Sequence, residues 1–228
     1  MENRLLLLLM YYRTYTTYAF LGFIFHIDES NVGRNFQPLE PLLAQIFRIP
    51  ERRIKLSEDE IAELFFDGSE QSTERPTKKQ KRFYSGKKKT HTKKFQVSVV
   101  KKKKKPGRGE KPRRLRIAAI SKVVFGKMHD KKLYEQERVQ KPPSVLGIGD
   151  TGYLGTSLKI PHKKTKKKEL TKRQKKFNKI LSANRVCVEH AIGKMKIWRI
   201  VKDRIRNSKR NHSLTVKNTA GLHNLMFA

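Results

Sequence analysis

The chain holds a single cysteine, Cys187, which excludes an intrachain disulfide framework and a multi-cysteine zinc site. A lone thiol fits a reducing compartment. Acid is scarce as well: 20 Asp and Glu stand against 54 Lys and Arg, leaving a formal charge of +34 on 228 residues. A surface so short of carboxylates calls for a polyanionic partner, most often nucleic acid. No stretch reaches the roughly 18 uninterrupted apolar residues of a membrane span. The run LLLLLM at residues 5–10 imitates a signal-peptide core, but Glu2 precedes it and Arg13 follows closely, which argues against secretion. The expectation is a soluble intracellular protein with no membrane partner.

What the chain does have is enough apolar residue, 36%, to bury a core, and a sharp charge asymmetry. Residues 1–66 hold 7 basic and 9 acidic side chains; residues 67–228 hold 47 and 11. The two parts have different jobs. In the first, apolar residues recur at helical spacing in three short blocks. Tyr18, Leu21 and Phe25 line one face of a short helix, residues 28–30 supply a turn and an N-cap, and Asn31, Arg34, Asn35 and Gln37 begin a new helix. This outline fits a helix-turn-helix that presents Arg34 and Asn35 to a DNA groove, and it fits three packed amphipathic helices equally well. Pro38 is expected to end or kink the second helix early. Charged residues around Pro50 suit a linker, so the chain divides into 1–48, a linker at 49–60, and a second domain at 61–228.

In that second domain, IAELFF at 61–66 reads as a strand closed by an Asp67-Gly68 turn, and residues 69–92 as a long loop. Phe95, Val97 and Val99 alternate with polar residues, and Leu115, Ile117 and Ile120 resume the pattern. Two antiparallel strands joined by a basic hairpin at 101–114 account for this. Residues 127–138 read as a helix and 144–148 as a buried strand ending at Gly149-Asp150. One long helix is expected over 171–205, with Phe177, Leu181, Val188, Ile192 and Met195 along one stripe.

Asp67, Asp150 and Glu189 stand at the end of one strand, the end of another, and inside the last helix. A single Asp at a strand end is ordinarily a turn former. Three carboxylates on adjacent elements would repel one another unless cations occupy the site, and an all-oxygen site suits Mg²⁺ or Mn²⁺. Arg185, Glu189, Gly193 and Lys196 share one helix face, where Arg185 and Lys196 either meet DNA phosphate or are merely solvated, Arg185 pairing with Glu189. The runs at 87–89 (Lys87, Lys88 and Lys89), 101–105 and 163–168 either contact phosphate backbone or are simply solvated, and their density favours backbone contact. The string GIGDTG at 147–152 spells a dinucleotide-binding pattern, but no helix follows it. Cys187 and His190 lack the further ligands that zinc needs, so packing is expected for Cys187 and a surface place for His190.

DGSEQSTERP at 67–76, YSGKKKTHTKK at 84–94, HDKKLY at 129–134, GDTGYLG at 149–155 and NRVCVEHAIGKMKIWRI at 184–200 occur in an order that resembles insertion-sequence transposases of the DDE superfamily, the bacterial group related to Harbinger elements. The helix-turn-helix region is similar to that family's N-terminal part. The resemblance implies an α/β, RNase H-like mixed sheet with flanking helices, preceded by a small all-α helix-turn-helix region. It implies that Asp67, Asp150 and Glu189 hold two divalent cations, Mg²⁺ or Mn²⁺, for strand cleavage at element ends and transfer to target DNA, and it favours DNA contact for Arg185 and Lys196. It further implies double-stranded DNA as partner, a homodimer or larger assembly on DNA, and a place in the bacterial cytoplasm with the nucleoid. Where the family has a small-residue turn before His129-Asp130, this chain has Phe125 to Met128, and Asp130 reads first as a helix cap and second as a carboxylate that supports the site from outside the catalytic set. Met1 stands almost at the first helix, so a shortened DNA-binding module is expected. Two other readings remain open: a non-catalytic basic nucleic-acid-binding protein, or a transposase remnant without activity.

Overall fold

The computed structural model describes residues 2–103, 115–164, 169–206 and 211–228. The hairpin expected at 101–114 and the lysine runs at 101–105 and 163–168 lie wholly or partly outside the described residues.

The chain opens with α1 (Glu2–Thr14), α2 (Tyr18–Phe25) and α3 (Glu29–Phe47). Thr17 caps α2 by accepting from Phe20 N at 3.2 Å, and Asp28 caps α3 by accepting from Ser30 N at 2.8 Å. Between them the backbone doubles back so tightly that a Cβ on Gly22 would stand 2.5 Å from the Ile27 carbonyl. Glycine is what this turn requires. The expected break at Pro38 is not found, because α3 runs on through both Pro38 and Pro41. Both prolines are exposed, so carbonyls deprived of an N–H partner on that side can be hydrated.

After a 3-10 turn at Glu58–Glu60 comes β1 (Ile61–Ser72), the central strand, then α4 (Gln80–Phe83), β2 (Tyr84–Ser85), β3 (Thr90–Lys102), β4 (Leu115–Ile120) and β5 (Val124–Phe125). Next are α5 (Asp130–Glu137), β6 (Gly147–Ile148), α6 (Lys172–Met195), α7 (Arg199–Lys202) and α8 (His212–Phe227). β3 pairs antiparallel with β1, and β6 runs parallel on the other side of β1. β2, β4 and β5 all pair with β3, the β4 pairing being the antiparallel one expected. The result is a mixed α/β fold with a mixed sheet, flanking helices and an all-α start, as expected.

Two expectations fail here. Asp67-Gly68 does not close β1, which continues to Ser72, and much of the loop expected at 69–92 is strand or short helix. The cause is β3, which pairs with β1 residue by residue from Leu64 to Ser72 and overrides a local turn preference. The long final helix also stops at Met195, because Trp198, Ile200 and Val201 turn inward to be buried.

β1 is apolar on both faces. Phe65 joins a large core with α1–α3, α6 and α8, while Leu64 and Phe66 join a smaller one with Ile54, Val145 and Tyr153. The N-terminal helices are tied into the rest by polar contacts too: Tyr12 Oη donates to Glu40 at 2.5 Å, and Asn218 Nδ2 on α8 donates to the Tyr12 hydroxyl at 3.2 Å and the Glu40 carbonyl at 3.0 Å. Cys187 packs against the large core and His190 is exposed, as expected. No helix among the described residues is long and apolar enough to cross a membrane.

Candidate active site

β1 and β6 decide the site. Their parallel register sets Leu64 beside Gly147 and Phe65 beside Ile148, and two residues further along each strand stand Asp67 and Asp150. Asp150 has left the ladder by then and caps the 3-10 turn Thr151–Tyr153, its Oδ1 accepting from Gly152 N at 2.8 Å. Asp67 accepts from Gly68 N at 2.9 Å. Burial pushes the Asp67 carboxyl up to about 6; Arg185 opposes this, while the charges of Asp150 and Asp130 push the same way.

Glu189 and Gly193 bring α6 to the same place. They line a cleft of about 290 Å³ together with Asp67, Asp150, Asp130, Lys88 and Lys196. A Cβ on Gly193 would meet nothing within 4 Å, so the glycine is not required by packing within the chain and leaves that wall open. Among the described residues no three His, Cys, Asp or Glu side chains form a group that could hold an ion. The donor chemistry of Asp67 and Asp150 nevertheless fits a hard divalent cation. A carboxyl whose pKa is raised by burial, and then by neighbouring carboxylates, is relieved by positive charge, and every donor is oxygen.

The basic residues separate. Burial holds the Lys196 ammonium below its usual value, Lys88 adds to this, and Asp67 opposes it, so the two lysines and the acid share one field. Lys87 and Lys88 line the cleft; Lys89, in a left-handed conformation, is not among its lining residues. Arg185 places its charge on Asp67 and Tyr153, and its Nε is buried with no hydrogen-bond partner. Arg34 and Asn35 lie on α3 outside the cleft. Arg34 donates to Asn31 Oδ1 at 3.1 Å, and the Asn35 amide donates to the Asn31 carbonyl at 2.9 Å.

Three residues of the site, Lys94, Glu70 and Tyr153, were not singled out from the sequence, and a fourth, Asp130, was read first as a helix cap. The cap reading of Asp130 is overturned, since His129 takes the N-cap position of α5 and Asp130 lies one residue inside the helix. Its carboxylate instead meets Lys94 Nζ at 3.2 Å. Lys94 also meets Glu70 at 3.0 Å and donates to the Met128 carbonyl at 2.9 Å, with side-chain exposures of 8% for Lys94 and 10% for Glu70. Burial raises the Glu70 pKa, but bonds from Ser85, Lys94 and Thr92 outweigh it and hold the group below the usual range. Tyr153, fully buried, has its phenol held well above the usual value by burial and then by Asp130, Asp67 and Asp150. All four do sit inside the quoted blocks, Glu70 in DGSEQSTERP, Lys94 in YSGKKKTHTKK, Asp130 in HDKKLY and Tyr153 in GDTGYLG, which was the available signal.

Residues 66–224 match the family model described as DDE superfamily endonuclease, and residues 1–49 match the helix-turn-helix of DDE superfamily endonuclease. A Microchaete diplosiphon protein named as a transposase for insertion sequence element IS702 is 30% identical, over 100% of this chain and 81% of its own length. A Streptomyces albus G protein named as a transposase for insertion sequence element IS112 is 27% identical, over 99% of this chain and 80% of its own. No solved structure matches. Carboxylates on adjoining strands, a third on the facing helix, and a match over most of the length agree: the chain belongs to the DDE superfamily of endonucleases, with the helix-turn-helix of its transposases.

Proposed function

We propose that this protein is an insertion-sequence transposase that cuts DNA at the ends of its element and joins them to a target, with Asp67, Asp150 and Glu189 as the catalytic carboxylates. The observation that carries this reading is the convergence of Asp67 and Asp150 from neighbouring parallel strands on a cleft that Glu189 also lines. Two Mg²⁺ or Mn²⁺ ions bound by these oxygens would activate the attacking oxygen and stabilise the departing one. In the first step a water oxygen attacks phosphorus as the 3′ oxygen leaves, exposing a 3′-hydroxyl. In the second, that hydroxyl attacks a target phosphodiester.

The chain's own residues bind and orient. Lys88 and Lys196 stand beside the acids to receive phosphate, Lys87 extends that charge, and the open wall at Gly193 lets a strand approach. Arg185 favours the ionised form of Asp67. The reading divides the work along the chain: residues 1–48 recognise DNA, with Arg34 and Asn35 on the groove-facing helix and Lys89 on outer backbone, residues 49–60 connect, and residues 61–228 carry the chemistry. It also expects a dimer or larger assembly on paired ends, working on the nucleoid of a bacterial cytoplasm. A non-catalytic basic protein would bind DNA equally well but has no need of three acids in one cleft.

The test is nicking of DNA that flanks the gene, with Mg²⁺ or Mn²⁺, by the unmodified protein and by Asp67→Asn and Glu189→Gln. Cleavage at discrete positions, lost in both variants while DNA binding persists, is the expected result. Binding without cleavage by the unmodified protein would sink the catalytic reading and leave a DNA-binding remnant.

A further inference from the structure

The carboxylate cleft adjoins a larger one of about 730 Å³, and the two share Glu70, Lys87, Lys94 and Asp130 as wall residues. The larger cleft lies between the β2–β3 turn and the turn that leads into α5. Both of the shared carboxylates are ion-paired to the one buried Lys94. The remaining charges on the walls are cationic: Arg75, Lys81, Lys87 and Lys127 are all exposed. The cleft therefore presents a positive field next to the acids.

It also presents a ring. Tyr84 is 43% exposed, and its edge-to-face contact with His91, centroids 5.8 Å apart at 75°, occupies one part of the ring and holds its orientation. A volume of this size lies in the range of about 300–1,000 Å³ that holds a single small organic ligand. A base pair inside a duplex offers no free face to a side chain, because its neighbours cover both sides. An unpaired base does offer one, and aromatic stacking with backbone cations is how proteins hold such bases.

We infer that this cleft is a subsite for one unpaired nucleotide of the DNA, its base stacked on Tyr84 and its phosphates held by Lys81, Lys87 and Lys127. Resting on the transposase reading, the inference adds that the strand is locally unpaired beside the phosphate presented to Asp67 and Asp150. Asp130 and Lys94 form the common wall, so a strand could pass from one cleft to the other without leaving protein.

The test uses the full-length chain with no divalent metal present, so cutting plays no part in it. The probes are a short duplex with one bulged 2-aminopurine and the same duplex fully paired. The bulged duplex is expected to bind about tenfold more tightly, the scale of one base–aromatic stack, with its fluorescence changed on binding. Tyr84→Ala is expected to erase the affinity ratio and the fluorescence change, and Tyr84→Phe to keep both. Equal affinity for the two probes, or a ratio that survives Tyr84→Ala, overturns the subsite. If metal-dependent nicking is lost while the ratio persists, the catalytic reading falls and the subsite stands.

Discussion

The Asp130 carboxylate occupies the space in which residue 68 would carry a side chain: a Cβ on Gly68 would fall 2.4 Å from Asp130 Oδ1. Lys94 holds that carboxylate in place at 3.2 Å. Gly68 is thus required by the close approach of α5 to the face of the sheet and not by a turn, which explains a glycine in the middle of a long paired strand. Gly68→Ala is expected to lower stability by about 1–3 kcal/mol, the range for overpacking a filled site. Denaturant unfolding checks this, and an unchanged midpoint would mean that Asp130 swings aside freely.

Asp67 should make stability depend on pH. Its carboxyl rises from an ordinary 3.8 to about 6 on folding, so between those values the folded chain binds more proton than the unfolded one. The contribution of this group is then fully present at the acid end and is lost as pH rises through about 6. The loss is about 3 kcal/mol at most. Asp67→Asn is expected to melt higher than the unmodified protein at neutral pH, with the difference shrinking toward pH 4. Added Mg²⁺ is expected to raise the melting point of the unmodified protein more than that of the variant. A variant that melts lower at neutral pH would contradict this reading of the buried acid.

Lys94 neutralises two carboxylates in a place almost closed to water. Removing it by Lys94→Met strands Glu70 and Asp130 without their cation. Breaking a buried pair in this way costs about 3–5 kcal/mol. The double variant Lys94→Met with Glu70→Gln should recover a measurable part of the loss. If the two changes are simply additive in an unfolding cycle, the ion pair contributes nothing specific.

Lys196 is expected to act on phosphate backbone and not on base identity. Lys196→Ala should weaken binding to unrelated duplexes by similar factors and lower the slope of log K against log salt by about 0.9, one phosphate contact. A selective loss on one sequence, with an unchanged slope, would place Lys196 elsewhere.

The sequence by itself pointed to the class of partner, through positive charge that is balanced by acid in residues 1–66 and greatly in excess after them. It also singled out the candidate acids Asp67, Asp150 and Glu189, by their places in ordered motifs. The β3–β4 pairing and the stripe along α6 were legible too, because alternation and helical spacing are local signals. Tertiary structure alone decided that Asp67-Gly68 runs through a strand, because β3 supplies partners that a local turn preference cannot anticipate. It decided the fate of Pro38 in the same way, since only the packing of α3 shows which of its faces meets water. And it decided that Asp130, Lys94, Glu70 and Tyr153 belong with the acids. Their roles rest on contacts between residues far apart in the chain, such as Asp130 over Gly68, and spacing along a sequence carries no record of the approach of a helix to a sheet.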